Sequence, residues 1–247
     1  MDKLLYIAAS GAKQDLLGTT IRANNLANAQ TIGFKAQLEQ TRAMPAFGDG
    51  LPTRVFSMTE SPTNNYEGGP MVRTDRELDV AIQGDGWFAV QDKQGNEAYT
   101  RRGGFQLSED GMLEDGLGNP VLGGAGPIFL PQPVSNVNIA TDGTISIRPL
   151  GAPETVLAEV GQLKMVNPDP ANMTRGLDGL YRMEDGSLAN EDVNVRLQTG
   201  MLEGSNVNAV DEMVNMIHLQ RHYEMQIKLM KKADTLVMRS NMLLRIL

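Results

Sequence analysis

Two histidines, His218 and His222, stand four residues apart in Ile217-His218-Leu219-Gln220-Arg221-His222. On a helix, that spacing can set two imidazoles on one metal ion. The zinc-protease pattern needs a glutamate after the first histidine as general base, and this chain has Leu219 there. There is no other histidine and no cysteine, so a third ligand would have to be a carboxylate such as Glu224. Surface or interface histidines are the better reading. Carboxylate neighbours such as Glu109 and Asp110 lie at expected hairpin tips, where nothing raises a pKa for acid–base work. The acidic turns do not make a twelve-residue calcium loop, and Gly123-Gly124-Ala125-Gly126 lacks the aspartate of calcium-binding β-rolls. A phosphate-binding loop, a serine elbow and a dinucleotide fingerprint are all missing. Without cysteine there is no thiol nucleophile, disulfide or thiolate metal site. The sequence therefore predicts no catalytic residue, no metal, no cofactor and no small-molecule substrate: this is not an enzyme.

The 247 residues carry 22 basic and 30 acidic side chains, a net charge of −8. That balance argues against a life on nucleic-acid phosphates. The length suits one generous domain or two small ones. Charge is unevenly placed: residues 1–42 balance at +2, residues 43–220 at −14, and residues 221–247 at +4. An acidic middle is a solvated surface that resists nonspecific association. The charge-free run Gly116–Thr141 contains four prolines and five glycines, which would leave backbone groups unsatisfied in lipid, so no membrane span is expected.

The elements follow from periodicity. Lys3 to Ala27 reads as a helix with Asp2 as N-cap. Leu5, Ala9, Ala12, Leu16, Thr19, Ala23 and Leu26 form a heptad stripe, weak because it is mostly small. Gly11 and Gly18 are tolerable beside it if they admit another helix closely. Residues 37–77 hold Pro45, Pro52, Pro62, Pro70 and Gly68-Gly69, which predicts an extended or irregular connector, with Val55-Phe56 as a possible short strand. From Leu78 the pattern turns to short strands and Asp-Gly turns up to about residue 200, with Trp87 in the core. After Asn208, a good N-cap, no Pro or Gly occurs to Leu247. Met216, Tyr223, Met230, Val237 and Leu244 recur every seven residues there, with a half-polar companion line of Met213, Gln220, Ile227, Asp234 and Asn241. The predicted class is α+β: long terminal helices forming a coiled-coil-like region, with a central all-β domain. The segments are 1–36, 37–77, 78–200 and 201–247. The two stripes can pair, yet the methionine-rich line still leaves apolar surface for other copies or related chains.

The motifs carry a resemblance. Asn24-Asn25-Leu26-Ala27-Asn28 followed by Thr31-Ile32-Gly33-Phe34-Lys35 resembles the N-terminal signature of bacterial flagellar axial proteins: rod, hook and hook-associated. Leu202-Glu203-Gly204-Ser205-Asn206-Val207-Asn208, running into Glu212-Met213-Val214-Asn215-Met216-Ile217, is similar to the C-terminal signature of that family. Leu78–Ile82, Asp85–Phe88 and Tyr99–Phe105 are similar to the β region that rod and hook proteins share. Met1–Tyr6, Arg42–Phe47, Leu51–Arg54 and Gly204 look most like the proximal rod branch, with the distal rod branch a close sibling. The resemblance implies a periplasmic rod subunit of the flagellar basal body, exported by the type III apparatus. Its partners would be other proximal and distal rod proteins and copies of itself. It also implies a part in passing motor torque to the hook.

On this reading the terminal helices pack as a tube through Leu5, Leu16, Leu26, Met216, Tyr223, Met230, Val237 and Leu244, with the acidic β domain outside. Asn24, Asn25, Asn28 and Gly33 set the helix exit. Two other classes compete: an extracellular β-domain binding module and a carboxylate-pair hydrolase. Neither needs the long C-terminal helix.

Overall fold

The computed structural model describes residues 2–45, 55–59, 63–132, 134–149 and 158–244. The chain forms two compact units, each discontinuous in sequence. A helical unit comprises Met1–Ala29, Lys35–Asn65 and Val207–Leu247; a β unit comprises Gln30–Phe34 and Tyr66–Asn206. These divisions cut the chain differently from the four segments read in the sequence. Residues 37–65 belong with the helices, whereas 66–77 and 201–206 belong with the strands. The cause is pairing: Met71–Arg73 hydrogen-bonds antiparallel to Met201–Glu203, and a strand is counted with its partner.

In the helical unit, α1 spans Asp2–Ala27 and α2 spans Ala209–Leu244. Asp2 is already helical, rather than a cap outside the helix. The Asn208 side chain accepts the Val210 N–H at 3.1 Å and so caps α2. Asp211 and Glu212 in its first turn complement the helix dipole. With 36 residues, α2 is about 54 Å long.

The connector is more ordered than its prolines suggested. Thr41–Pro45 and Val55–Thr59 pair antiparallel over five residues, and Gln37–Leu38 pairs with Thr63–Asn64. Pro45 ends its strand, and Pro52 and Pro62 lie outside the described residues, so no proline interrupts the ladder. A two-stranded ribbon is marginal alone. Here it leans on α1, whose Ser10 hydroxyl and Gln14 amide both donate to the Ser57 carbonyl at 3.2 Å.

The β unit is antiparallel throughout its described ladders. Its largest sheet has five strands in the order Met165–Val166, Trp87–Gln91, Glu97–Thr100, Tyr181–Met183, Met173–Arg175. A second sheet joins Val134–Ile139, Thr144–Pro149 and Ala158–Gln162. Phe88 and Val90 face a main core with Phe105, Leu113, Ile145 and Leu163. Trp87 and Ala89, on the other face of the same strand, join Tyr99, Val166 and Tyr181 in a second cluster. Burial on both faces explains why Trp87-Phe88-Ala89-Val90 is an unbroken apolar run.

Candidate assembly surface

The two helices run antiparallel, and the register is legible from α1 side chains and the α2 groups they meet. Gly11 lies under Gln226, where a Cβ would come within 3.0 Å of the side-chain amide, and Gly18 lies under both Glu39 and Leu219, where a Cβ would collide with the Glu39 carboxylate and stand 3.2 Å from the Leu219 side chain. The glycines thus leave room that an alanine could take only by displacing these side chains. Arg22 Nη1 reaches Glu212 Oε1 at 3.2 Å. Asn25, fully buried, donates to Glu212 Oε1 at 3.2 Å and to the Gln37 carbonyl at 2.9 Å, while its own oxygen accepts the Gln37 N–H at 2.9 Å. Both N–H donors of that amide and one lone pair of its oxygen are therefore used, which fixes register as a leucine would not. At the helix exit, the Asn28 amide donates to the Asn24 carbonyl at 2.9 Å. Asn24 and Ala27 face solvent.

Asp15 sits in the same seam, opposite His222. One of its oxygens is sealed from water without a hydrogen-bond partner. Burial pushes the Asp15 carboxyl up from its usual value, and the His222 charge only partly opposes this. The fold therefore favours the protonated acid. This contribution to stability is present below the unfolded pKa and is lost as pH rises through the raised folded value. Asp15→Asn should accordingly stabilise the helical unit at neutral pH by up to about 1 kcal/mol, and flatten the pH dependence of its melting between mildly acidic and neutral solution. Circular dichroism at 222 nm reads this directly (an unchanged pH profile would contradict it). His218 is exposed, and among the described residues no cluster of three His, Asp or Glu could hold a metal.

The seam uses little of the apolar surface. On α2 the less exposed side chains include Met216, Leu219, Gln226, Ile227, Met230, Ala233 and Val237, so the methionine stripe is accompanied mainly by Leu219/Gln226/Ala233, and of the line through Met213, Gln220, Ile227, Asp234 and Asn241 only Ile227 is half-buried. Tyr223 lies at the edge of the less exposed set. Val210, Met213, Ile217, Met225, Leu229, Leu236, Met238 and Met242 are each at least half exposed. They lie on the half of the helix turned away from the seam, interspersed with exposed charges such as Arg221, Lys228 and Arg239. So much apolar surface on the outer face of a helix marks a contact surface. On α1, Ala8, Ala12 and Gly18 are buried while Tyr6 and Leu16 project into solvent, and Leu5 and Leu26 are half-buried. The Leu244 side chain lies outside the described residues. Among the described residues, no helix is long and apolar enough to cross a membrane.

The β unit gathers the remaining motif residues at one place. Gly33, at φ 65°, donates its N–H to the Glu203 carbonyl at 2.7 Å. A Cβ there would stand 2.5 Å from the Arg101 carbonyl carbon, so both dihedral and space demand glycine. The Asn206 N–H donates to the Phe34 carbonyl at 3.3 Å, and Phe34 itself is buried. Arg101 and Glu203 form an ion pair at 3.0 Å with 4% and 1% of their side chains exposed. Arg101 Nη2 also donates to the Gly84 carbonyl at 2.8 Å, and Glu203 Oε1 accepts the Gly69 N–H at 3.0 Å. Leu202 pairs with Val72 in the adjoining ladder, and Ser205 is buried. Val207, half-buried, begins the second half of the helical unit. The ion pair and the Asn25–Glu212 network were not singled out from sequence, where a lone Arg and a lone Glu one hundred residues apart carry no periodic signal.

Residues 198–243 match the family model described as flagellar basal body rod FlgEFG protein C-terminal, and residues 81–147 match that of the flagellar hook protein FlgE/F/G D1 domain. The flagellar basal-body rod protein FlgF of Escherichia coli strain K12 is 43% identical over 250 residues, covering 99% of each chain. The chain belongs to the flagellar basal-body rod protein family. FlgF of Caulobacter vibrioides is 35% identical across 96% of this chain and 95% of its own length. FlgG of Buchnera aphidicola subsp. Acyrthosiphon pisum is 33% identical across 97% and 98%. Within the rod proteins the likeness to FlgF is thus the stronger, and membership places the chain in the basal-body rod. The C-terminal match covers most of α2, the helix with the most uncovered apolar surface.

Proposed function

We propose that the chain is a structural subunit of the proximal rod, and that it assembles by packing α1 and α2, in coiled-coil fashion, against the helices of neighbouring rod proteins and of its own copies. The observation that carries this reading is the exposed apolar face of α2. A single chain in water gains nothing from the uncovered halves of eight large apolar side chains, whereas covering them in a polymer gives roughly 1 kcal/mol each, about half the value of a full burial. The stripe positions Leu5, Leu16, Leu26, Met216, Tyr223, Met230, Val237 and Leu244 are assigned to packing within and between subunits. Residues 78–200 supply lateral contacts with neighbours. Many interdigitated helices would resist torsion without depending on any one bond, which suits passage of motor torque towards the hook. Delivery by flagellar type III export into the periplasm, and the lack of any enzymatic role, belong to the same reading.

Complementation tests it. In a bacterium deleted for its own FlgF, the full chain should restore swimming and complete basal bodies, and a chain truncated after Asn206 should restore neither. Equal rescue by the truncated chain would refute assembly through α2.

A further inference from the structure

The β unit carries two arginines whose guanidinium groups bond to no carboxylate among the described residues. The Arg175 guanidinium stacks on Phe34, its central carbon 4.4 Å from the ring centroid. Gly179 brings Arg102 to the same spot: from a Cβ placed on Gly179, terminal nitrogens of Arg175 and Arg102 would lie 3.8 and 4.0 Å away. Both side chains are half-buried, and among the described residues no hydrogen bond or ion pair engages either guanidinium. Arg175 Nη1 is sealed from water without a partner, as is the hydroxyl of Tyr181, which stands opposite Arg175 in the strand register. The nearby carboxylates are committed elsewhere. Asp178 holds Arg182 through both oxygens, and Asp115 closes its own turn by accepting from Leu117 and Asn119. Burial, with Arg175 adding to it and Asp115 opposing, holds the Arg102 guanidinium below its usual range.

Like charges gathered in partial burial are unfavourable unless something negative joins them. Buried donors without acceptors mark a missing ion or water in most native proteins. An arginine stacked on a ring can still offer an in-plane N–H edge to a carboxylate, and here the Arg175 group on offer is Nη2, beside that of Arg102 at Gly179. We propose that the Nη2 groups of Arg102 and Arg175 form an oxyanion receptor that takes a side-chain carboxylate from a neighbouring rod subunit. The choice of a neighbour rests on the assembly reading above and on charge: residues 43–220 hold 25 acidic against 11 basic side chains, so abutting subunits of this kind present many carboxylates and few uncommitted cations.

The test has a monomer arm and a cellular arm. Inorganic phosphate titrated into the full-length chain should shift the Nε–H signals of Arg102 and Arg175 and the Gly179 amide saturably, and Arg175→Gln should remove the response. In cells, Arg175→Glu should reduce swimming by at least about tenfold, and selected swimmers should carry an acidic-to-basic change on a rod subunit. A phosphate response with undiminished swimming would make a free anion the ligand and overturn the docking claim. No phosphate response with undiminished swimming would overturn the receptor itself, as would impaired swimming whose revertants restore only position 175 and whose monomer ignores phosphate. If Arg175→Glu loses the near-ultraviolet signal of Trp87, Arg175→Gln takes its place in the cellular arm, since a planar amide still covers Phe34; normal swimming then overturns docking. Failure of the unaltered chain to restore swimming would count against the rod reading alone, because the phosphate titration needs no rod.

Discussion

Leu229→Asp should abolish swimming while costing the purified chain only about 1 kcal/mol. Leu229 is half exposed on α2, so the single chain loses part of a leucine's burial and some helix propensity and little more. Buried against a neighbour's helix, the same carboxylate would need several kcal/mol of desolvation without a partner. The adjacent residue sharpens the test. Met230 belongs to the less exposed line of α2, so Met230→Asp should block assembly and also loosen the helical unit by about 2–4 kcal/mol, with the β unit still folded. Thermal melts followed at 222 nm, together with motility in soft agar, separate the two cases. Wild-type swimming by Leu229→Asp would remove the main support for assembly through α2.

The second large effect lies in the β unit. Glu203→Leu strands Arg101 in a place where 4% of its side chain is exposed and where its Nε already lacks a partner. Removing one member of such a pair costs about 3–5 kcal/mol, because the other charge stays buried alone. The Arg101 guanidinium lies 5.4 Å from the centre of the Trp87 ring, so tryptophan fluorescence in urea reports the loss locally. Arg101→Met with Glu203→Leu should regain part of it, since no charge is then buried alone, although the Gly69 N–H and the Gly84 carbonyl lose their side-chain partners. A double variant no more stable than Glu203→Leu alone would show that the cost comes from packing and not from charge.

Much of the fold was legible because it rests on local chemistry. The stretch from Ala209 without Pro or Gly is α2, and Asn208 caps it. The strand Trp87–Gln91 falls where its apolar run begins. The phase of α1 was less legible. A search for apolar periodicity chooses Leu5, Leu16 and Leu26, but close approach to α2 selects small residues, so Ala8, Ala12 and Gly18 are buried and Leu16 is left outside. The ribbon of Thr41–Pro45 and Val55–Thr59 was obscured by the prolines of this stretch, of which Pro45 takes only the last place of its strand. Of the site, Gly33 and Asn25 lay within motifs that sequence could quote. Arg102 lay within the quoted Tyr99–Phe105 stretch without being singled out and Arg175 lay in no motif, because only the fold brings the two to one glycine.

The helical unit is built from the first and last portions of the polypeptide, Met1–Ala29 and Val207–Leu247, with Lys35–Asn65 added. During synthesis, then, α1 is made well before α2. Until α2 has been made, Asn25 has no Glu212 to hold. A helix of this composition is marginal in water by itself, so the folding of α1 is timed by the arrival of its mate.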